Sequence, residues 1–178
     1  MNDRIAIRRA GPEEDLVQAL ADVLTDCVIG GASLGFLNPL ERVKAEGYWS
    51  EILDGAVRGE RIVFVAEDRT TGEVVGTVQV VTNAPENQPH RGEIAKMLVH
   101  RRVRGTGLGE ALMHAAESAA RDAGKTLLVL DTASTDAERL YLRLGWQRVG
   151  VIPGYALGPD GGLVDTVVFY KDLSTEAG

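Results

Sequence analysis

The sequence has few of the features that mark secreted, membrane or nucleic-acid-binding proteins. Cys27 is the only cysteine in 178 residues, which excludes a disulfide within the chain. No apolar run is long enough to cross a bilayer, and the N-terminal residues lack the apolar core of a secretory signal. The net charge of -7 disfavours nucleic acid, which needs a broad positive surface. We therefore expect a cytoplasmic protein that binds neither membranes nor nucleic acid.

The hydrophobic content is sufficient for one core. Apolar residues make up 44% of the chain, and no repeat or linker divides it. We predict a single domain over residues 1–173, followed by a disordered tail over residues 174–178.

A basic, glycine-bearing loop follows a short apolar strand over residues 93–99. Its glycines alternate, at Gly105, Gly107 and Gly109. Glycine allows a positive φ and a close approach of the backbone to a ligand. A helix predicted to begin near Gly107 would direct its free N–H groups toward the loop, and nearby arginines add charge, at Arg101, Arg102 and Arg104. These features predict a site for a phosphate or pyrophosphate.

Two familiar phosphate-binding loops do not fit this sequence well. A Walker loop needs Lys and Ser or Thr after its last glycine, but Glu110 follows Gly109. A dinucleotide fingerprint needs G-x-G-x-x-G, whereas the spacing here is G-x-G-x-G. Asp131 does end the next predicted strand, where a ribose-binding acid would lie. The chain after residue 104 is nevertheless too short for a doubly wound sheet, so dinucleotide binding is kept only as an alternative.

The segment Arg104-x-x-Gly107-x-Gly109 resembles the R/Q-x-x-G-x-G/A pyrophosphate loop of the GNAT acyltransferase superfamily. The preceding strand and the helix from Ala137 to Trp146 also match that family's order. Further segments resemble the tabtoxin-resistance acetyltransferase branch: Gly30–Phe36, Glu93 with Lys96-Met97, Leu130-Asp131-Thr132, Arg148-Val149-Gly150, and the stretch from Pro153 to Gly161.

The resemblance and the residue patterns together imply an α/β (α+β) fold. We expect a single mixed, mostly antiparallel sheet of about seven strands, with about four helices and a central parallel pair that splays apart. The first helix has an apolar stripe that includes Cys27, which we interpret as a buried core residue. The second helix is predicted to begin with Asn38 as its cap and Pro39 in its first turn. The final strands are predicted over 147–152 and 164–170, with a loop over 153–162.

The resemblance also implies acetyl-CoA as the acetyl donor, with no metal. The family places the pantetheine arm along a strand whose bulge aims one N–H at the thioester carbonyl, here from Leu98 or Val99. The implied coenzyme-binding residues are Met97, Leu98, Val99, Arg104, Gly105, Thr106, Gly107, Leu108, Gly109, Ser134, Ala137 and Tyr141. Ser134 departs from the family, where many members have Asn. His90, His100 and His114 do not have metal-ligand spacing.

Glu93 and Asp131 are the candidates for the general base, and Tyr141 for the general acid. Strand alternation would put Glu93 on one face with Ala95, Met97 and Val99. Each residue also has a structural interpretation: a solvated acid for Glu93, a helix cap for Asp131 and a core aromatic for Tyr141. The resemblance favours the functional roles. It further implicates Gly31, Ser33, Phe36, Glu93, Asp131 and Tyr155 in acceptor binding, with Trp49 as a further candidate.

The activity implied is N-acetylation of a small amine, such as an amino-acid-like toxin, antibiotic or metabolite. Transfer would occur by direct attack in a ternary complex, in a monomer or a homodimer. Two alternatives stay open: a protein or peptide N-terminal acetyltransferase, and a non-catalytic acyl-CoA sensor.

Overall fold

The computed structural model describes residues 4–11, 13 and 15–174, and in this part of the chain seven strands form one sheet. The strands are β1 (Ile5–Arg9), β2 (Arg61–Asp68), β3 (Val74–Val81), β4 (Arg91–Val99), β5 (Leu127–Thr132), β6 (Gln147–Leu157) and β7 (Leu163–Asp172). The helices are α1 (Leu16–Ile29), α2 (Arg42–Val57), α3 (Leu108–Asp122) and α4 (Thr135–Arg143). A short 3-10 turn covers Arg101–Val103.

The strand order is β1-β2-β3-β4-β5-β7-β6, and every neighbouring pair is antiparallel except β4 and β5. The predicted mixed sheet with a central parallel pair is therefore confirmed. Helix α3 supplies the parallel connection between β4 and β5, as expected for a strand–helix–strand crossover.

Helices pack on both faces of the sheet. On one face, α1 and α2 enclose Val63, Val65 and Leu98. On the other, α3 and α4 pack against a second cluster that contains Val78, Val80 and Ile94. The apolar stripe predicted for α1 is confirmed, since Leu16, Leu20, Val23, Leu24, Cys27 and Val28 are all buried. Cys27 is thus a core residue, as expected.

The predicted start of the second helix was wrong. Helix α2 begins at Arg42, its N-cap is Glu41, and the Glu41 side chain makes no capping hydrogen bond. Asn38 is instead used across the fold, because its Nδ2 donates to Oδ1 of Asp160 at 2.9 Å and its backbone N–H donates to the Pro159 carbonyl. A local capping pattern was overridden by a tertiary contact.

Strand β6 is longer than predicted. It continues through the segment expected to be a loop and ends at Leu157, with an irregular register between Ile152 and Ala156. It is the last strand of the sheet and carries several exposed apolar side chains, including Val149, Tyr155 and Leu157. Of the predicted tail, only Ser174 is described, and its hydroxyl bonds to Asp172.

A buried ion pair joins three elements behind the sheet. Lys171 of β7 donates to Oε2 of Glu117 on α3 at 2.8 Å, and both side chains are almost fully buried. The indole N–H of Trp146 donates to Oε1 of the same carboxylate at 2.8 Å. Lys171 also donates to the carbonyl of Leu144, the C-cap residue of α4. This arrangement ties α3, β7 and the end of α4 together.

No helix in the described part of the chain is long and apolar enough to cross a bilayer.

Candidate active site

A cavity of about 1080 Å³ opens between the central parallel strands. The β4–β5 ladder contains only three pairs, and it ends where Glu93 faces Val129. Both strands continue beyond this point without pairing, so the predicted splay is present. β4 remains paired with β3, and β5 with β7, so it is the β5-facing edge of β4 from Ile94 onward that is free to pair with an extended ligand.

A β-bulge interrupts β4 inside the cavity. Thr77 faces Leu98 but Gln79 faces Ala95, so Lys96 and Met97 together oppose one residue of β3. Lys96 has a φ of 46°, the only positive φ of a non-glycine residue in the described chain. Ile94 packs with α3, whereas Leu98 packs with α1 and α2.

The bulge corrects one sequence prediction. Without it, Ile94 and Leu98 would share a face; with it, Met97 and Val99 pack with the cluster under α3, on the face opposite Glu93. The prediction that Glu93 shares a face with Met97 and Val99 was therefore wrong. Glu93 and the two later residues still line the same cavity.

The glycine loop forms one end of the cavity. Gly105 and Gly107 have φ of 76° and 84°, and a Cβ added at either would meet no atom within 4 Å, so their backbone is open to a ligand. Gly107 is the N-cap of α3 and offers no side chain to the first-turn N–H groups. Gly109 differs, because a Cβ there would lie 3.1 Å from Cδ2 of Leu140. Gly105 and Gly107 thus leave the backbone accessible to a ligand, whereas Gly109 allows close packing against α4.

The sequence predicted that three arginines add charge to the loop, but their side chains have different partners. Arg101 pairs with Asp26 of α1 at 2.9 Å, and Arg102 pairs with Glu73 at 2.6 Å, so these two cations hold the loop to its neighbours. Arg104 forms no ion pair within the described residues. Its Nε donates to the Val99 carbonyl at 3.1 Å, and its Nη2 lies 3.8 Å from the Cys27 sulfur. Arg104 is thus the loop arginine whose charge is available to a ligand.

Two carboxylates stand near the fork of the strands. Glu93 and Asp131 are both exposed, and both line the cavity. Asp131 is fixed by Thr166 of β7, whose hydroxyl donates to its Oδ2 at 2.7 Å. Asp131 does not cap α4, because that helix is capped by Ser134, whose Oγ accepts from the N–H of Ala137 at 3.3 Å. The structural interpretation of Asp131 as a helix cap was therefore wrong.

Tyr141 lies on α4 with its ring in the core. It packs against Trp146 and Phe169, with ring centroids 6.0 and 5.8 Å away. Burial raises the pKa of its phenol, and the charge of Asp131 adds to the effect. The hydroxyl forms no hydrogen bond with any described residue, yet Tyr141 lines the cavity. The phenol is thus kept protonated and available to donate a hydrogen bond.

Most of the other predicted site residues also line the cavity. These are Gly31, Ser33, Met97, Leu98, Val99, Leu108, Ser134, Ala137 and Tyr155. Thr106 and Phe36 do not. The Thr106 hydroxyl donates back to the Val103 carbonyl, and Phe36 packs edge-on against Tyr48 with ring centroids 5.4 Å apart. Trp49 is fully buried in the core, so its assignment to an acceptor pocket was wrong.

Sequence reasoning missed many residues that line the cavity, and two of them, Thr166 and Lys96, affect its charged groups. Thr166, which fixes Asp131, lies on a different strand 35 positions later, and the cross-strand pairing that brings it near cannot be read locally. Lys96 enters the cavity because of the bulge. Its position between Glu93 and Met97, in a segment already noted for its resemblance, was the available signal. No group of three or more His, Cys, Asp or Glu that could hold a metal occurs in the described ranges.

A sequence profile of the acetyltransferase (GNAT) family matches residues 36–146. The chain belongs to this family and is an acyltransferase.

Solved structures with the same fold include several acetyltransferases. The yncA protein of Salmonella typhimurium, solved with acetyl-CoA, is 21% identical with a TM-score of 0.77, over 99% of this chain and 98% of that one. Ribosomal-protein-alanine N-acetyltransferase of Brucella melitensis is 25% identical with a TM-score of 0.77, over 94% and 99%. Phosphinothricin acetyltransferase of Sinorhizobium meliloti, solved with acetyl-CoA, is 17% identical with a TM-score of 0.78, over 96% and 89%.

Proposed function

We propose that this protein is an acetyl-CoA-dependent N-acetyltransferase that acts on a small amine by direct attack in a ternary complex. The observation that carries the proposal is one continuous cavity. It joins an open glycine loop, a free strand edge, two carboxylates and a protonated phenol.

The loop and β4 suit the donor acetyl-CoA. The diphosphate would bind to the N–H groups of Gly105 to Gly109, where the N-terminus of α3 adds its positive dipole end. Arg104 would add a charge-assisted contact. The pantetheine arm would lie along the unpaired edge of β4 at Met97 to Val99, and the N–H of Leu98 or Val99, just after the bulge, would stabilise the oxyanion. Ser134 and Ala137, at the start of α4, would border the coenzyme.

The reaction needs proton transfers at the acceptor nitrogen and at the departing thiolate. Glu93 or Asp131 would accept the proton that the acceptor ammonium loses, directly or through water. The free amine then forms the C–N bond at the acetyl carbonyl as the C–S bond breaks. Tyr141 would give a proton to the departing thiolate and regain the proton that the new amide nitrogen loses. Both carboxylates line the cavity, so bound coenzyme and acceptor would displace water from them and bring them against the acceptor amine.

The acceptor would sit against the segment Gly31 to Ser33 and against Tyr155 of β6, beside the two acids. The resemblance to the tabtoxin-resistance branch supports an amino-acid-like acceptor. The likeness to the Brucella ribosomal-protein-alanine N-acetyltransferase favours a second candidate, acetylation of a peptide N-terminus.

Thiol release from acetyl-CoA tests the proposal, measured with free amino acids, simple amines and short peptides as acceptors. We expect turnover with small amines that falls by about a hundredfold in Glu93→Gln and in Asp131→Asn, with acetyl-CoA affinity unchanged. The matched control Glu86→Gln removes an exposed acid outside the cavity and should leave turnover unchanged. Turnover of peptides alone would favour the second candidate. Tight coenzyme binding without release for any acceptor would overturn the proposal in favour of a sensor.

A further inference from the structure

Lys96, which lines the cavity, is held in an unfavourable backbone conformation. A left-handed φ is unfavourable for a non-glycine residue, and such outliers occur often at functional sites. A glycine would relieve this strain, yet the chain has a long cationic side chain here. We therefore expect the ammonium group at this position to have a function.

The Lys96 ammonium lies over an aromatic ring. Its Nζ is 5.6 Å from the ring centroid of Tyr48, and the side chain is half-buried in the cavity wall. Among the residues that the structure describes, no carboxylate oxygen lies within the ion-pair distance of 4.0 Å from it. A cation over a ring gains electrostatic attraction, but the ring does not neutralise its charge.

Tyr48 is itself fixed by its neighbours. Gln79 donates to the Tyr48 hydroxyl at 3.4 Å, and Phe36 and Trp49 pack against its ring at 5.4 and 5.2 Å. Phe36 therefore affects the cavity only indirectly, because it packs against Tyr48 and does not itself line the cavity. These contacts fix the ring over which the Lys96 ammonium lies.

Four cationic side chains of the described residues line the cavity. Arg104, Arg139 and Arg143 lie on the glycine loop and α4, where Glu110 and Asp136 also line the cavity, and Lys96 is the fourth. Lys96 is the cation beside Glu93 and Asp131. Burial lowers the pKa of Lys96, while the charges of Asp131 and Glu93 act against that shift. An anion brought to the cavity side of this ammonium would replace lost water with a charge-assisted contact.

We infer that Lys96 is a specificity residue that pairs with an anionic group of the acceptor, so that the preferred acceptors carry an amine and a carboxylate on one small skeleton. The inference rests on the proposed function. Glu93 and Asp131 would receive the amine, and Lys96 would receive the carboxylate three residues further along β4. An internal peptide carbonyl cannot replace that carboxylate, so the inference also selects free amino acids over peptides.

The test compares each free amino acid with its own carboxamide, which keeps the amine and the side chain but removes the negative charge. For the wild-type protein we expect kcat/KM for the acid to exceed that for the amide by about tenfold to a hundredfold, mainly through KM. Lys96→Met should abolish this preference by lowering kcat/KM for the acid alone. Lys96→Arg should keep most of it.

Lys44→Met is the matched control. Lys44 also lies over an aromatic ring, with Nζ 5.8 Å from the centroid of Phe36, but it is exposed and outside the cavity. It should leave the preference intact. If Lys96→Met does not fold, Lys96→Gly takes its place, because glycine accepts the positive φ.

Equal kcat/KM for acids and amides in the wild type would overturn the inference, and so would a preference that survives the loss of the Lys96 charge. In both cases amines are still acetylated and the proposed function stands. Absence of thiol release with every amine overturns the proposed function itself.

Discussion

The Asp131 carboxylate accepts a hydrogen bond of 2.7 Å from the hydroxyl of Thr166 on the neighbouring strand. Thr166 is buried, whereas Asp131 faces the cavity, so a core side chain fixes the orientation of a cavity acid. Thr166→Val keeps the shape and removes the donor. We expect kcat to fall by about tenfold with acetyl-CoA affinity unchanged, because small displacements of a reacting group slow catalysis strongly.

The control for this change is Thr77→Val. Thr77 is equally buried, and its hydroxyl donates to the Phe64 carbonyl at 2.8 Å, away from the cavity. Both variants should lose about 1 kcal/mol of unfolding free energy, as measured by urea denaturation. A similar loss of kcat in Thr77→Val would show that Thr166 acts through stability alone.

The Tyr141 hydroxyl can be removed with its ring packing retained. Tyr141→Phe should lower kcat by about a hundredfold and leave Tm nearly unchanged, since Trp146 and Phe169 keep their contacts. Burial raises the pKa of this phenol, so its protonated form persists as pH rises, and ionisation of Tyr141 should not limit turnover up to about pH 10.

Tyr170→Phe serves as the control, since Tyr170 is exposed on β7 outside the cavity. Steady-state kinetics over a range of pH give the comparison. Unchanged turnover in Tyr141→Phe would remove the phenol from the reaction.

Gly107 and Gly145 offer a matched pair of left-handed glycines. Their φ angles are 84° and 80°, and a Cβ at either position meets no atom within 4 Å. Alanine at either position should lower the unfolding free energy by about 1–2 kcal/mol. Only Gly107→Ala should also weaken acetyl-CoA binding, by about tenfold in calorimetric titration, because only Gly107 lies in the loop. Equal affinities in the two variants would contradict a phosphate site there.

The buried pair of Glu117 and Lys171 should contribute far more to stability than an exposed pair. Glu117→Gln removes the carboxylate charge beside a buried ammonium and should lower the unfolding free energy by about 3–5 kcal/mol. Asp136→Asn breaks the exposed pair with Arg139 and should change it by less than about 0.5 kcal/mol. Urea denaturation measures both, and a small effect of Glu117→Gln would mean that Lys171 is satisfied by its other contacts.

Asp68 should make the fold sensitive to acid. A hydrogen bond from Arg4 and one from the Thr70 N–H lower the pKa of its carboxyl to about 2 in the folded protein. Its contribution is therefore fully present above the unfolded pKa of 3.8 and is lost as pH falls through about 2. Tm measured between pH 5 and 2 should fall more steeply for the wild type than for Asp68→Asn. Parallel curves would contradict this.

Much of the fold could be predicted because local signals agreed with the tertiary structure. The alternating glycines and the apolar face of α3 are local features, and the loop and helix lie where they indicate. The start of α2 could not be predicted, because Asn38 bonds to Asp160 across 122 positions of sequence.

The site was predicted less completely than the fold, for the same reason. Glu93, Asp131 and Tyr141 reach one cavity, as predicted from the resemblance. The bulge at Lys96 depends on how β4 pairs with β3, and the Thr166 contact depends on how β5 pairs with β7. Pairing registers are set by the whole sheet, so neither could be derived from one segment. From the sequence, Glu117 is a polar residue on a helix, and its burial is explained by its contacts with Lys171 and Trp146, which lie on other elements.

The absence of a side chain at Gly109 brings the loop into direct contact with Leu140, one residue before Tyr141. The glycine loop and the helix that carries the phenol can therefore lie this close together only while residue 109 has no side chain. A larger residue there would have to displace Leu140 or the loop backbone, and so would alter the spacing between the loop and α4.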